Sequence, residues 1–267
     1  MKRILFSLFL INSFFFYGQE HNHPHDLKYV NPRYSPNGEY ILASAEGYTG
    51  LYVLDAQTME QKKVFKKEMA IGYGATWSND SKSIYYRYKV GFEFKTKQID
   101  IHTGQEKASE VNPLIFTCKG YIGNSFPYLT NSNQIQYGDK VMGELGDNYY
   151  HLVANQTNTA FVAHLGSKIV LVDIKNNQIT ELTWGLANAI SADGRYIYFH
   201  RDYSSDGHHI TGGELFVYDV VEKKETQLTS TSEAIELWPD ISPDGTKLVY
   251  SDDKTGKIEV LNINTNK

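Results

Sequence analysis

Short apolar runs of about five residues alternate with polar turns along most of the chain. The runs at residues 40–43, 196–199 and 248–250 are typical, and they are rich in tyrosine and β-branched side chains. They are too short for helices, and amphipathic helical periodicity is almost absent. Short runs of this composition between turn residues predict β-strands. We therefore predict an all-β protein.

A strand–turn–strand unit occurs in similar form at four places. The turn sequences are Tyr-Ser-Pro-Asn-Gly at 34–38, Trp-Ser-Asn-Asp-Ser at 77–81, Ile-Ser-Ala-Asp-Gly at 190–194 and Ile-Ser-Pro-Asp-Gly at 241–245. Proline presets φ in such a turn, and Asn or Asp followed by Gly tolerates positive φ. A third strand follows each unit, and most units then have a short fourth strand. Each unit is thus predicted to contain four antiparallel strands.

The repeat length predicts a six-bladed β-propeller. The units recur about every 40 residues, which is typical of four-stranded propeller blades. Degenerate turns near Lys119–Gly120 and Thr157–Asn158 complete a series of six. The predicted blades are 31–67, 70–110, 111–140, 141–184, 185–230 and 231–267. The last unit lacks a fourth strand, so we predict that residues 26–30 pair there as the outer strand and close the ring, because an open ring exposes strand edges.

The first residues predict export. Lys2 and Arg3 precede an apolar run at 4–16, which is shorter than the ~20 residues of a membrane-crossing helix. Basic residues, a short apolar core and Gly18 at its exit describe a secretory signal peptide. We assign residues 1–19 to this peptide and 20–267 to one propeller domain. The mature chain is predicted to be periplasmic or secreted, with no membrane span.

The net charge and the cysteine content bear on which partners and which bonds the protein can form. The formal net charge of −5 argues against a nucleic-acid partner, since no basic stripe is present to neutralise phosphates. Cys118 is the single cysteine, so an intramolecular disulfide is excluded. A buried, inert thiol is the favoured interpretation, with a reactive thiol or an intermolecular bridge as the alternative. No cofactor is predicted, and we expect a monomer.

The turns at 34–38 and 241–245, each followed by an apolar second strand, resemble the PD40 (WD40-like) repeats of TolB-type propellers. Related repeats occur in the propeller domains of prolyl-oligopeptidase-like peptidases. The resemblance implies a periplasmic or surface-exposed ring that binds protein partners of the cell envelope. The chain departs from TolB in having no recognisable N-terminal α/β domain, which argues against a role in the Tol system.

The longest departure from the repeat, at 201–213, is the first candidate site. This loop joins the second and third strands of blade five, at the predicted mouth of the channel, where a rigid scaffold presents binding residues. The candidate partner-binding residues are Asp202, Tyr203, Asp206, His208 and His209. Asp206, His208 and His209 are also candidate metal ligands. The alternative interpretation is a solvated polar loop.

Two further features are candidates. His21, His23 and His25 alternate near the predicted mature N-terminus, either as a weak metal site or as a leader of no consequence. Trp184, in the turn between blades four and five, is a candidate partner-binding residue. The other tryptophans and most tyrosines are expected to pack between blades.

No catalytic motif is evident: the chain has no Gly-x-Ser-x-Gly elbow, phosphate-binding glycine loop or His-Glu-x-x-His sequence. The sequence therefore predicts a protein-binding scaffold of the bacterial envelope rather than an enzyme. Two alternatives stay open. One is a metal-assisted polysaccharide lyase or hydrolase, for which His151, His164, His200, His208 and His209 are the plausible ligands. The other is a propeller that docks a separately encoded peptidase.

Overall fold

The computed structural model describes residues 27–66, 70–120, 126–143 and 147–263, and it shows a six-bladed β-propeller. Blades one to three contain β1 Tyr29–Tyr34, β2 Tyr40–Ala45, β3 Thr49–Asp55 and β4 Gln61–Lys66; β5 Thr76–Trp77, β6 Ser83–Val90, β7 Glu93–Asp100 and β8 Glu106–Ser109; and β10 Tyr128–Leu129, β11 Ile135–Tyr137 and β12 Lys140–Met142. Blades four to six contain β13 Tyr149–Ala154, β14 Phe161–Leu165, β15 Lys168–Asp173 and β16 Gln178–Trp184; β17 Leu186–Ile190, β18 Tyr196–Tyr203, β19 Gly212–Asp219 and β20 Lys224–Gln227; and β21 Glu236–Ile241, β22 Lys247–Asp252 and β23 Lys257–Asn262.

The predicted fold class is confirmed. Within each blade, consecutive strands are antiparallel neighbours, and the first strand lies innermost. Blades one, two, four and five have four such strands, whereas blades three and six have three among the described residues. In the described part of the chain, two short 3₁₀ helices, Glu46–Tyr48 and Pro113–Thr117, interrupt the strands. Among the described residues, no helix has the length and apolar character needed to cross a membrane.

Alternation along the strands explains why both faces of a blade are apolar. In β14, Phe161 and Ala163 pack against blade three, whereas Val162 between them packs against blade five. Successive side chains of a strand point to opposite faces, so one strand supplies two interfaces. The blade one–two interface contains Trp77, which is fully buried, as the sequence predicts for most of the aromatic residues. Packing between blades is thus the core of the molecule.

The repeated Ser in the predicted turns closes each hairpin with its side chain. In blade six, Ser242 Oγ accepts a hydrogen bond from Lys247 N (2.9 Å) and donates one to Asp244 Oδ1 (2.6 Å). Gly245, at φ 72°, then donates its N–H to Ser242 O (2.9 Å). Ser35, Ser78 and Ser191 make the equivalent side-chain bonds in blades one, two and five. The turn sequence is therefore a compact hydrogen-bonding unit, which is why it recurs.

The predicted turn of blade three at Lys119–Gly120 is wrong. The hairpin that repeats the closing geometry is at Thr130, whose N–H donates to Gln134 O (2.9 Å) and whose Oγ1 accepts from Gln134 N (3.1 Å). Residues Cys118–Lys119 instead form β9, which pairs in parallel with β13 of blade four. Thr130 takes the place of the serine, and Ser132 stands where the other turns have Asn or Asp, so the repeat pattern does not reveal this hairpin. Blade three consequently begins at β10, later than predicted.

The predicted closure of the ring is also wrong. Tyr29 and Val30 are the first residues of β1, which pairs with β2 as the inner strand of blade one, and residue 26 lies outside the described residues. Blade one meets blade six through a shared apolar cluster that includes Ile41 and Val249. Tyr34 N also donates to Asp240 Oδ2 of β21 (2.8 Å). Tyr29 N likewise donates to Gly256 O of blade six (2.8 Å), so apolar packing and separate hydrogen bonds close the ring where a shared strand was expected.

Candidate functional site

One end of the ring, which we call the upper face, carries the loops that join second to third strands and the connections between blades. Antiparallel strands alternate in direction, so both kinds of loop lie at the same end. The hairpins β6–β7 and β18–β19 are built from strands of 8 residues each, longer than the other described strands. They lie in blades two and five, which are opposite each other in a ring of six. The upper face thus has two long projections.

The blade-five loop, residues 204–211, is organised by Asp206. Its Oδ1 accepts from His208 N (2.8 Å) and His209 N (2.9 Å), and its Oδ2 lies 2.8 Å from His209 Nδ1. These bonds, the His209 side chain first, hold the pKa of the Asp206 carboxyl well below its usual range. Buried Ser204 anchors the base of the loop by accepting from Gly207 N (2.8 Å). The loop is therefore exposed, anionic at Asp206 and held in one shape by its own bonds.

The predicted metal ligands are not gathered into a cluster. Asp206 and His209 contact each other, and His208 is exposed beside them. Within the described ranges, no group of three or more His, Cys, Asp or Glu residues is placed to hold a metal ion. His21, His23 and His25 lie outside the described residues.

Asp202 and Tyr203 end β18, at the point where the blade-five loop leaves the sheet. Tyr203 O accepts from Thr211 N (2.7 Å), which closes the base of the loop. Both side chains are half-buried, and burial raises the pKa of each. The Asp202 carboxylate also raises the pKa of Tyr150 in blade four, although burial is the larger cause there. Asp202 therefore lies near the junction of blades four and five, below the exposed loop.

Trp184 is half-buried and serves as a packing surface. The Arg201 guanidinium lies 3.9 Å from the centroid of its ring, and Arg201 Nε donates to Trp184 O (3.1 Å). Arg201 is held in turn by two 2.7 Å bonds to the carboxylate of Glu225. A buried guanidinium with a bidentate partner is a fixed element. The structure therefore places Trp184 below the exposed loop and not at its apex.

The centre of the ring is filled by β9. This strand lies on the axial side of β13, and its segment contacts three blades. Cys118 pairs with blade four, Lys119 Nζ lies 3.3 Å from Asp240 Oδ1 of blade six, and Gly120 O accepts from Thr76 Oγ1 of blade two. Arg33 and Asn188 line a cavity beside this segment, whose volume of about 20 Å³ is close to that of one water position. The channel therefore offers little room for a substrate.

The Lys119–Asp240 pair is deeply buried. The two side chains are 4% and 10% exposed. Burial lowers the pKa of Lys119 to about 8 and raises that of Asp240, against the opposite effect of each partner on the other. Cys118 beside them is buried, and burial raises the pKa of its thiol. These features support the inert interpretation of the cysteine.

The histidines considered as catalytic ligands bridge strands. His164 Nε2 accepts from Ala187 N of blade five (2.9 Å), so Nδ1 carries the proton and donates to His151 O (2.8 Å). His200 Nδ1 lies 2.8 Å from Asn188 Oδ1, and its ring packs against Trp238 at 5.1 Å between centroids. Burial lowers the pKa of His164 to about 4 and that of His200 to about 3. Both rings are neutral and structural at physiological pH.

Sequence reasoning missed the other projection of the upper face. The β6–β7 hairpin ends in Val90, Gly91 and Phe92, and Phe92 is 100% exposed. The available signal was the apolar sequence Val90-Gly91-Phe92 at the end of a hairpin of two eight-residue strands. The Ser-centred turns that define the repeat lie on the opposite face and carry no information about this hairpin.

A sequence comparison supports the fold of two blades. The family model described as the dipeptidyl peptidase IV (DPP IV) N-terminal region matches residues 191–254. This segment runs from the closing turn of blade five to the second hairpin of blade six, and it contains two of the Ser-centred turns. No curated protein matches the chain.

Solved structures share the fold at low identity. The β-propeller domain of Cps50 (Swd1) from Myceliophteria thermophila has a TM-score of 0.59 at 11% identity, over 90% of this chain and 98% of that chain. Hydrazine synthase from Kuenenia stuttgartiensis has a TM-score of 0.53 at 14% identity, over 92% and 80%. TolB from Acinetobacter baumannii has a TM-score of 0.41 at 18% identity, over 89% and 55%. At these identities the likenesses to Cps50 and hydrazine synthase show a propeller fold and nothing more specific.

Proposed function

We propose that this propeller is a protein-binding scaffold, exported to the bacterial cell envelope, without catalytic activity of its own. The observation that carries the proposal is the filled channel. Here β9 and the buried Lys119–Asp240 pair occupy the axis of the ring, which leaves little space there for a small substrate. We therefore place binding on the loops of the upper face, where the two longest of the described hairpins project.

The blade-five loop is the best binding surface for such a partner. Its shape is fixed before binding by the Asp206 bonds, so little conformational entropy is lost on association. His208 and His209 are exposed at its apex. Histidines, a carboxylate and backbone groups in one rigid loop favour a polar, hydrogen-bonded contact with another protein.

The test is an affinity pull-down from native envelope extract. In the test variant, residues 205–210 are replaced by a short Gly-Ser segment, which leaves Ser204 and the paired strands intact. The matched control replaces residues 220–223, the β19–β20 turn at the opposite end of the same blade. We expect the wild type and the control to recover the same specific protein and the loop variant to lose it.

Two results contradict the proposal. If the loop variant recovers the same protein as the wild type, the blade-five loop is not the binding site. If no protein is enriched by the wild type, a stable partner is excluded and the scaffold function fails. Export is tested separately, by determining the N-terminus of the protein from the producing cell with mass spectrometry: a start near residue 20 supports the proposed signal peptide, and an intact Met1 opposes it.

A further inference from the structure

The outer half of the β6–β7 hairpin projects from blade two as a two-stranded ribbon. Its strands pair along their whole length, from Ser83↔Asp100 to Val90↔Glu93. The neighbouring strands cover only its base: β5 pairs as far as Tyr85, and β8 pairs from Thr96. Gly91, at φ 62°, takes the first position of a two-residue turn, as type II′ hairpins require. The ribbon therefore extends beyond the sheet.

The end of the ribbon is apolar and uncovered. All seven residues from 89 to 95 are exposed. Phe92 at the apex is 100% exposed, Val90 is 46% and Phe94 is 48% exposed. Apolar side chains scattered singly over a surface are ordinary, but three within five residues at the end of a projection mark an interaction site.

The apolar side chains surround the apex instead of forming one flat face. In an antiparallel ribbon, directly paired residues share a face and successive residues alternate between faces. Val90 therefore projects from one face and Phe94 from the other, with Phe92 between them at the turn. A groove on a partner protein covers one face of such a ribbon. A fluid apolar phase covers both.

Basic side chains form a collar behind the apex, again on both faces. Lys89 shares the face of its paired residue Phe94, and Lys95, paired with Tyr88, shares the face of Val90. Both lysines are exposed, whereas the whole chain has a net charge of −5. A lysine can lay its aliphatic stem along an apolar surface while its ammonium group stays in polar surroundings. At about 3.4 Å per residue, the apex reaches 5–10 Å beyond the collar.

The base of the ribbon is rigid. The Arg87 guanidinium lies 4.6 Å from the ring centroids of both Tyr73 and Phe94. Tyr73 in turn packs edge-on against Tyr48, the centroids being 5.2 Å apart. These contacts tie the ribbon to the loops of blade one and hold the apex outward.

We propose that the apex, residues 89–95, inserts into the interfacial layer of an anionic lipid membrane and so docks the propeller by its upper face. The apolar apex would lie in the acyl region of such a membrane. The basic collar behind it would then lie at the level of the anionic headgroups, on both faces of the ribbon. Glu93 is the one unfavourable charge, since its carboxylate lies at the apex beside Val90.

The test is co-sedimentation of the full chain with vesicles of phosphatidylcholine, with and without phosphatidylglycerol. All variants are purified from the same exporting host, so any retained leader is common to them. We expect binding to the anionic vesicles that weakens as salt rises.

Phe92→Ser should reduce the affinity about tenfold or more, since it removes the apolar anchor. Lys89→Gln with Lys95→Gln should reduce it about fivefold per lysine on anionic vesicles only. Glu93→Gln should strengthen binding.

Matched controls come from the β19–β20 turn on the opposite end of blade five. This turn carries Val221, which is 67% exposed, and the exposed Lys224 begins the strand after it. Val221→Ser and Lys224→Gln should leave vesicle binding unchanged. Equal losses in control and test variants, or wild-type binding by Phe92→Ser, would overturn the proposal. The proposal would also be overturned if Phe92→Ser changed the protein recovered in a pull-down but left vesicle binding unchanged, because the apex would then dock on a protein. Vesicle binding needs no protein partner, so it fails or succeeds independently of the scaffold function.

Discussion

At the residue scale, the recurring serine explains why this sequence repeats while most other positions vary. Ser242 Oγ serves at once as acceptor for the N–H that closes the hairpin and as donor to the Asp244 carboxylate. In blade four Asn155 takes the same place, and its Oδ1 accepts from Thr159 N and Ala160 N. Residues that satisfy backbone groups locally are favoured in tight turns. The serine therefore recurs because each of these turns needs its side chain to satisfy backbone hydrogen-bonding groups.

Replacing Ser242 by alanine should lower the free energy of unfolding by about 1–2 kcal/mol, since a buried turn loses two hydrogen bonds. Urea unfolding of wild type and variant measures this. Ser205→Ala, in the exposed part of the blade-five loop, is the control and should change the value by less than about 0.5 kcal/mol. Equal stability of Ser242→Ala and wild type would show that the side-chain bonds of the turn contribute nothing net.

At the element scale, the sequence predicts strands well where alternation and turn chemistry agree. Blades one, two, five and six carry the Ser-centred turn, and their inner hairpins lie where expected. Blade three does not follow the prediction, because the segment expected to begin it forms β9 on the axis of the ring. The pairing partner of β9, β13, lies more than 30 residues away in the sequence. Local patterns carry no information on such a contact. Likewise, the blade-five loop was visible as an insertion, but the burial of Trp184 against Arg201 depends on two neighbouring blades.

The ion pair that fixes β9 can be tested by a double-mutant cycle. Lys119→Met should destabilise the protein by about 3–5 kcal/mol, because it leaves the Asp240 carboxylate buried without its partner. Asp240→Asn keeps an oxygen for the bond from Tyr34 N, yet it leaves the ammonium of Lys119 uncompensated. The double variant should therefore be more stable than the sum of the single effects predicts, by about 1–3 kcal/mol in urea unfolding. Additive effects would mean that the two groups do not interact energetically.

At the scale of the whole molecule, packing between blades makes the ring a single unit. Apolar clusters join blades one and two, three and four, four and five, five and six, and six and one. The 3₁₀ helix Pro113–Thr117 contributes buried Ile115 and Phe116 near the remaining junction. Because each blade shares its core with its neighbours, a change at one position is felt as a change in the stability of the whole ring.

The buried histidines make that stability depend on pH. At about pH 7 and above, His164 and His200 are neutral in both the folded and the unfolded chain, since the ordinary pKa is about 6.5. Below that value the unfolded chain takes up protons first, because burial lowers the folded pKa of His164 to about 4 and that of His200 to about 3. The free energy of unfolding should then fall by about 1.4 kcal/mol per pH unit for each histidine. Asp240, whose pKa is raised by burial, acts in the opposite direction at lower pH.

His164→Asn separates this effect from the loss of a hydrogen bond. Asparagine can keep a donor for His151 O, but the N–H of Ala187 loses its acceptor, so the variant should be less stable at every pH. Its unfolding free energy, measured in urea between about pH 7 and pH 5, should nevertheless fall less steeply than that of the wild type. The difference in slope should correspond to the uptake of about one proton fewer on unfolding. Above about pH 7 the two curves should run parallel. Curves that stay parallel down to pH 5 would show that His164 takes up its proton equally in both states, and the acid sensitivity of the ring would then have to come from other groups.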